Sequence, residues 1–166
     1  MDQRPEPPPT RRLLTWALVR LHDTLRRCAT LANRREFGLT GLEFKIMGQV
    51  GVYAPLSLND LAELVVIDTG QLSRAVKGLV ERGLLDRKRR PGGPAIDITL
   101  SEKGVELHEQ MVVLAVERND FITSDLSAEE VEQAIRMVEA LKARAQIMFE
   151  RERALARAAG CPEKED

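Results

Sequence analysis

The chain has 166 residues, of which 43% are apolar and only 4% aromatic, with 25 Lys/Arg set against 26 Asp/Glu. That length suits one compact domain or two small lobes sharing a core rather than a multidomain enzyme, and the wealth of Leu, Ala, Val, Glu and Arg favours helices over a sandwich or barrel. No apolar run approaches the roughly 18 residues of a membrane span, and the opening MDQRPEPPPT lacks the apolar centre of a signal peptide, so a cytoplasmic protein is expected.

Residues 1–10 are too rich in proline to form a helix interior, because proline lacks an amide donor, and they predict an arm. From Arg11 onward Leu14, Leu18, Leu21, Leu25, Cys28 and Ala32 recur at helical spacing, which predicts an amphipathic helix to about Arg35, closed by Gly38. On that face Cys28 is expected to be a structural, buried thiol. Cys28 and Cys161 are far apart with no CxxC spacing, which argues against a disulfide framework or a zinc knuckle. Thr40 with Glu43, Ser57 with Asp60, Asp68 with Gln71 and Ser127 with Glu130 mark helix starts. Only the Glu and Gln pairs fit the capping box strictly. Up to Gly83, which supplies a left-handed cap, these signals delimit helices near 41–52, 58–64 and 69–82.

Beyond Gly83 the pattern changes to Leu84-Leu-Asp-Arg-Lys-Arg-Arg90, a Pro91-Gly-Gly-Pro94 turn, and Ala95-Ile-Asp-Ile-Thr-Leu100. Ile96, Ile98 and Leu100 alternate inward and Asp97 and Thr99 outward, as in a two-stranded hairpin. Ser101 opens a helix with Val105, Val112 and Val116 on one face. Ser127 opens another with Val131, Ile135, Val138, Leu141, Ala145 and Met148. Both are too apolar on one side to end in solvent and should pack on a partner.

The even overall charge conceals an uneven distribution. Residues 69–93 hold seven cations against two carboxylates, whereas residues 101–166 hold nine against fifteen. One surface is therefore suited to a polyanion, with nucleic acid the leading candidate. Two short helices followed by a hairpin have the layout of a winged helix-turn-helix, giving a mainly α fold with a small β-hairpin wing. Leu61 and Leu64 are expected to pack on Leu72, Val76 and Leu79, leaving Thr69, Gly70, Gln71, Ser73, Arg74 and Lys77 outward. Gln71 can pair bidentately with adenine and Arg74 with guanine; Ser73 or Thr69 suits phosphate or the thymine methyl, and Gly70 lets the backbone approach closely. The bland alternative is that Arg74 and Lys77 are ordinary solvated charges. The basic run Arg87, Lys88, Arg89, Arg90 weighs against it. Alternation turns about half of these toward DNA and leaves the others to brace Asp97 or Asp86, and Arg89 and Arg90 rank first as nearest the tip. Ser57 completes the candidate set.

Gly38-Leu-Thr40, Pro55-Leu-Ser-Leu-Asn-Asp-Leu-Ala62, Gly70-Gln-Leu-Ser-Arg-Ala-Val-Lys-Gly-Leu79, Glu81-Arg-Gly-Leu-Leu-Asp-Arg87 and Ile98-Thr-Leu-Ser-Glu-Lys-Gly104 together resemble the MarR (multiple antibiotic resistance regulator) family of bacterial transcription factors. The resemblance runs from the first helix to the last. It implies a homodimer held by the terminal helices, recognition helices in successive major grooves of a palindrome, wings in the flanking minor grooves, and an effector crevice between the two lobes. The corresponding layout is an arm at 1–10, a dimerisation region at 11–36 and 101–155, a winged helix-turn-helix at 38–100 and a tail at 156–166. The family's wing usually carries Asp-x-Arg at its tip, where this chain has Gly92-Gly-Pro94 in a wing about one residue shorter. Arg89 or Arg90 then substitutes, or the wing makes phosphate contacts only.

Family members commonly answer to small aromatic or anionic compounds, which need a cation and an apolar wall, and Trp16, Arg20 and His22 on the first helix are candidates. Against this, Trp16 suits dimer packing, Arg20 a surface charge and His22 the edge of an apolar face. No resolving cysteine accompanies Cys28, and His22 and His108 are the only histidines, so redox and metal sensing are set aside and no cofactor is expected. Pro91-Gly-Gly-Pro94 has neither the spacing nor the Lys-Ser/Thr of a phosphate loop, and nothing pairs a nucleophile with a base, so no enzyme is expected. The expectation is a ligand-responsive repressor acting as a homodimer on an inverted repeat. The rival is a protein-interaction module that keeps the fold without operator binding.

Overall fold

The computed structural model describes residues 12–89 and 96–161, and the chain divides into two compact units, one up to Val113 and one from Leu114. Its elements in order are α1 (Leu14–Phe37), α2 (Gly41–Tyr53), α3 (Leu58–Val65), α4 (Thr69–Glu81), β1 (Leu85–Arg89), β2 (Ile96–Leu100), α5 (Glu102–Thr123) and α6 (Ala128–Ala158). The fold is mainly α with one antiparallel hairpin, as the sequence predicts.

Local chemistry sets the boundaries in the first unit. Helix α1 stops at Gly38, whose φ of 60° is the left-handed conformation that glycine adopts without a Cβ penalty. Thr40 and Glu43 form a reciprocal capping box at α2. Ser57 and Asp60 form a second one at α3, so the shorter Asp side chain closes a box that strict Glu/Gln spacing does not anticipate. At α4 the bond runs one way, with Asp68 Oδ1 accepting from the Gln71 amide at 2.9 Å. At the far end of α4 the Leu84 amide donates to Leu79 O and the Gly83 amide to Val80 O, both at 2.9 Å. This is a Schellman turn, and buried Leu84 and Leu79 supply its hydrophobic contact.

The core of this unit gathers Ile46, Met47 and Val50 of α2, Leu61 and Val65 of α3, Leu72, Val76 and Leu79 of α4, and Leu39, Leu56, Leu84, Leu85, Ile98 and Met111. Burying each such side chain contributes about 1.5–3 kcal/mol. Strands β1 and β2 pair from Leu85 with Leu100 to Arg89 with Ile96. Leu56 adds a rung the sequence does not signal, exchanging both backbone bonds with Ile98 at 2.8 and 3.2 Å.

Three expectations are corrected. Leu64 is exposed, and Val65 occupies the core instead, because the inward stripe of α3 is Leu58, Leu61, Ala62 and Val65. Ile96 is exposed since it pairs with Arg89 at the outer end of the hairpin, and of the three inward residues only Ile98 is fully buried. Cys28 is exposed, because α1 turns Leu18, Leu25, Ala29 and Ala32 inward and Cys28 lies beside that stripe. The face of α5 expected to meet a partner, with Val105, Val112 and Val116, is exposed in the single chain, and the first unit buries the other face through Gly104, Leu107 and Met111. Asn33 is the buried polar side chain among the described residues, and its Oδ1 accepts no hydrogen bond there. Such a group costs about 1–3 kcal/mol.

In the second unit the end of α5 turns through Leu126, whose amide donates to Thr123 O, into α6. Ser127 and Glu130 form the capping box that starts α6, and the bonds from the Ser127 backbone and hydroxyl hold the Glu130 carboxyl below its usual range. Helix α6 buries no residue of its own.

Two features permit stability tests. A Cβ on Gly104 would lie 2.0 Å from the Leu84 carbonyl oxygen, a backbone atom already accepting from the Ser101 amide. Gly104→Ala is expected to destabilise by about 1–3 kcal/mol, seen as a lower urea midpoint. Val66 sits at φ 55° and ψ 63°, a left-handed conformation strained by about 1–2 kcal/mol for a branched residue, while its side chain is 77% exposed. Val66→Asn, which adopts that region more readily, is expected to stabilise by up to about 1 kcal/mol, seen as a higher urea midpoint.

Candidate nucleic-acid interface

Helix α4 is amphipathic, and burial fixes its rotational phase. Leu72, Val76 and Leu79 are fully buried, so the opposite side carries Gly70, Ser73, Arg74 and Lys77, with Thr69 and Gln71 at its margins. All six are exposed. Arg74 reaches back along the helix, its Nη1 lying 3.8 Å from where a Gly70 Cβ would be. Lys77 is 3.7 Å from Glu81 one turn on, and both are well exposed, so the pair is weak and leaves the ammonium available to a stronger anion. Ser57 is half-buried, and its Oγ accepts from the Asp60 amide, which leaves its O–H to donate.

The turn between α3 and α4 is tied down from behind. Lys45 of α2 donates from Nζ to Val65 O at 2.6 Å, a cation placed on the C-terminal carbonyls of α3. A separate clamp holds the exit of α4. Arg82 Nη1 lies 3.3 Å from Glu43 Oε1 and its Nη2 donates to Phe37 O at 3.5 Å, while Glu43 Oε2 accepts from the Thr40 amide. One carboxylate thus caps α2 and anchors α4. Ser101 donates to Gly83 O at 2.6 Å and accepts from the Gly104 amide at 3.0 Å, linking the same exit to the start of α5. Arg82 and Glu43 stand 39 residues apart, so no local spacing pairs them.

On the wing, register divides the basic run. Arg87 and Arg89 share a face with Leu85, opposite Ile98 and Ile96, and both are exposed. Lys88 turns to the other face and braces Asp86 at 3.5 Å. Arg90 and the turn Pro91-Gly-Gly-Pro94 lie outside the described residues.

The first-helix candidates do not converge. Trp16 and Arg20 are one turn apart on one side of α1, whereas His22 points about 120° from Trp16 and about 160° from Arg20. All three are exposed. Among the described residues no group of three or more His, Cys, Asp or Glu is placed to hold a metal ion.

Residues 37–93 match the family model described as MarR family. A search of curated proteins finds no match. Among solved structures, a MarR family transcriptional regulator from Silicibacter pomeroyi is 21% identical with a TM-score of 0.71, the alignment covering 84% of this chain and 94% of that one. A probable transcriptional regulator from Pseudomonas aeruginosa is 25% identical with a TM-score of 0.64, covering 80% and 98%. The MepR–DNA complex from Staphylococcus aureus is 18% identical with a TM-score of 0.69, covering 80% and 98%.

Proposed function

We propose, from the premise that residues 37–93 belong to the MarR family, that this protein is a DNA-binding transcription regulator acting as a homodimeric, ligand-responsive repressor on an inverted-repeat operator. The observation that carries the reading is the phase of α4, whose buried Leu72, Val76 and Leu79 leave Gly70, Ser73, Arg74 and Lys77 as an outward face. Its dimensions and chemistry suit the major groove. Arg74 is the base reader, Gln71 a second, and Lys77, Thr69, Ser73 and Ser57 contact phosphates or the thymine methyl. Arg87 and Arg89 extend the cationic surface along the wing. The likeness to MepR, whose structure is solved on DNA, supports the same use of the fold.

The dimer reading draws on surfaces a lone chain leaves bare. Helix α6 exposes Ile135, Val138, Leu141, Ile147 and Met148, the end of α5 exposes Val116 and Phe121, and α1 exposes Leu14, Trp16 and Leu21. A second copy is the partner that these faces, at 11–36 and 101–155, suit best. It would set two α4 helices about 34 Å apart, one turn of DNA, and so call for a palindromic site. Occupying a promoter blocks polymerase. A ligand relieves that block only by binding better to the dimer that fits DNA worse. No helix among the described residues is long and apolar enough to cross a membrane.

The test is a fluorescence-anisotropy titration against the DNA upstream of the protein's own gene, at about 50 and about 200 mM salt with scrambled competitor. Affinity is expected to fall roughly a thousandfold or more between the two. Arg74→Ala should cost about 1–3 kcal/mol and relax base preference, whereas Lys77→Ala should weaken all sequences alike and reduce the salt slope by about 1. A confirmed dimer with salt-insensitive or absent binding favours the interaction-module reading.

A further inference from the structure

Among the described residues Val66 is the one non-glycine residue with a positive φ. It closes α3, and its side chain is 77% exposed in the turn that leads to α4. A branched residue reaches the left-handed conformation only at a cost, and here no burial of the side chain offsets it. We propose that Val66 contacts DNA and helps to set operator preference, its methyl groups meeting apolar atoms of the duplex, a thymine methyl or the edge of a deoxyribose, beside α4. This assignment rests on α4 being the DNA reader.

The flanking residues fix where the side chain stands. Val65 is buried in the core, and its carbonyl oxygen accepts from Lys45 Nζ at 2.6 Å. Ile67, next in the chain, packs against the same core. The Val66 amide donates to Ala62 O at 2.9 Å, and Asp68 then starts α4 by accepting from the Gln71 amide. Held on both sides, Val66 cannot relax out of the left-handed region, and its side chain is kept outward. A valine also has little rotamer freedom to lose, so an outward contact requires almost no further ordering.

Distance and chemistry select the partner. Thr69 follows Val66 by three residues, and a fully extended chain of that length spans at most about 11 Å, less than the roughly 12 Å width of the major groove. A duplex seated on Thr69, Gly70 and Ser73 therefore passes within reach of Val66. An isopropyl group offers no hydrogen bond, so it matches the apolar atoms of DNA, the thymine methyl and the sugar carbons. The adjacent Asp68 carboxylate is exposed and disfavours a phosphate at the same spot. A protein partner would ask for a broad apolar patch, whereas the exposed residues that follow Val66 toward α4 are Asp68, Thr69 and Gly70.

Val66→Asn and Val66→Gly separate strain from contact, since both residues accept the left-handed conformation and neither presents the isopropyl group. The probe is the tightest duplex that the full-length wild-type protein selects from a randomised pool, together with a copy carrying deoxyuridine for every thymidine. Both variants should unfold at urea concentrations no lower than the wild type. By fluorescence anisotropy they should nevertheless bind the probe about three- to tenfold more weakly, with an unchanged salt slope because no phosphate contact is lost. If the wild type weakens by the same factor on the uracil copy and the variants do not, the partner is the thymine methyl. If the penalty of the variants persists there in full, the partner is the deoxyribose edge. Variants that bind as tightly as the wild type, or whose salt slope falls, would overturn the contact. A pool from which the wild type enriches no duplex removes DNA binding itself, and this assignment with it, so the two failures are told apart.

Discussion

The structure depends most on the burial of one side of α4. Leu72, Val76 and Leu79 are fully excluded from solvent among side chains of α2, α3 and the wing. Removing any of them would cost about 2–5 kcal/mol for a leucine and somewhat less for the valine. A helix so committed cannot rotate about its axis. Everything on its other side is thereby presented at a fixed angle, and that side holds a glycine, a serine, an arginine and a lysine. Function follows from packing here because a core set by apolar side chains decides which polar ones face outward.

Smaller polar contacts then hold the helix along its length. Asp68 satisfies its first turn, Lys45 secures the turn before it, and the Schellman turn with Arg82 fixes its exit. Each is a charge-assisted bond or a backbone bond at a helix end, where unpaired amides and carbonyls would otherwise need water. Glu43 is the economical element, serving the cap of α2 with one oxygen and the end of α4 with the other. Ser101 plays the corresponding part between Gly83 and Gly104. The exits and entries of α4 and α5 are thus joined by backbone-directed contacts, and Gly104 is small because the Leu84 carbonyl passes where a side chain would be.

Much of this was legible in the sequence, for identifiable reasons. Caps act over three residues and apolar stripes over three or four, so the starts of α2, α3, α4 and α6 and the buried side of α4 follow from local pattern alone. The errors arise where the pattern is locally ambiguous. On a short helix Leu64 and Val65 both continue the apolar series, and only the position of α2 and α4 selects Val65. Alternation in β2 is correct in phase, yet Ile96 lies beyond the body that would bury it. Cys28 sits at the margin of a stripe whose inward centre depends on what α1 packs against. What the sequence withheld entirely is long-range: the Leu56–Ile98 rung, the Lys45 contact with Val65 O, and the Arg82–Glu43 pair, for which no spacing rule exists.

The claim at the centre is that the outward side of α4, continued by Arg87 and Arg89, is the surface that meets a polyanion. Its most direct test is a ¹⁵N-labelled titration with a short duplex of arbitrary sequence at about 50 mM salt, where phosphate contacts alone suffice for binding. The account predicts shifts and broadening at Thr69, Gly70, Ser73, Arg74, Lys77 and β1, reversed by added salt, with α6 unperturbed. Perturbation centred on α6, or a duplex that leaves α4 unchanged at low salt, would contradict it.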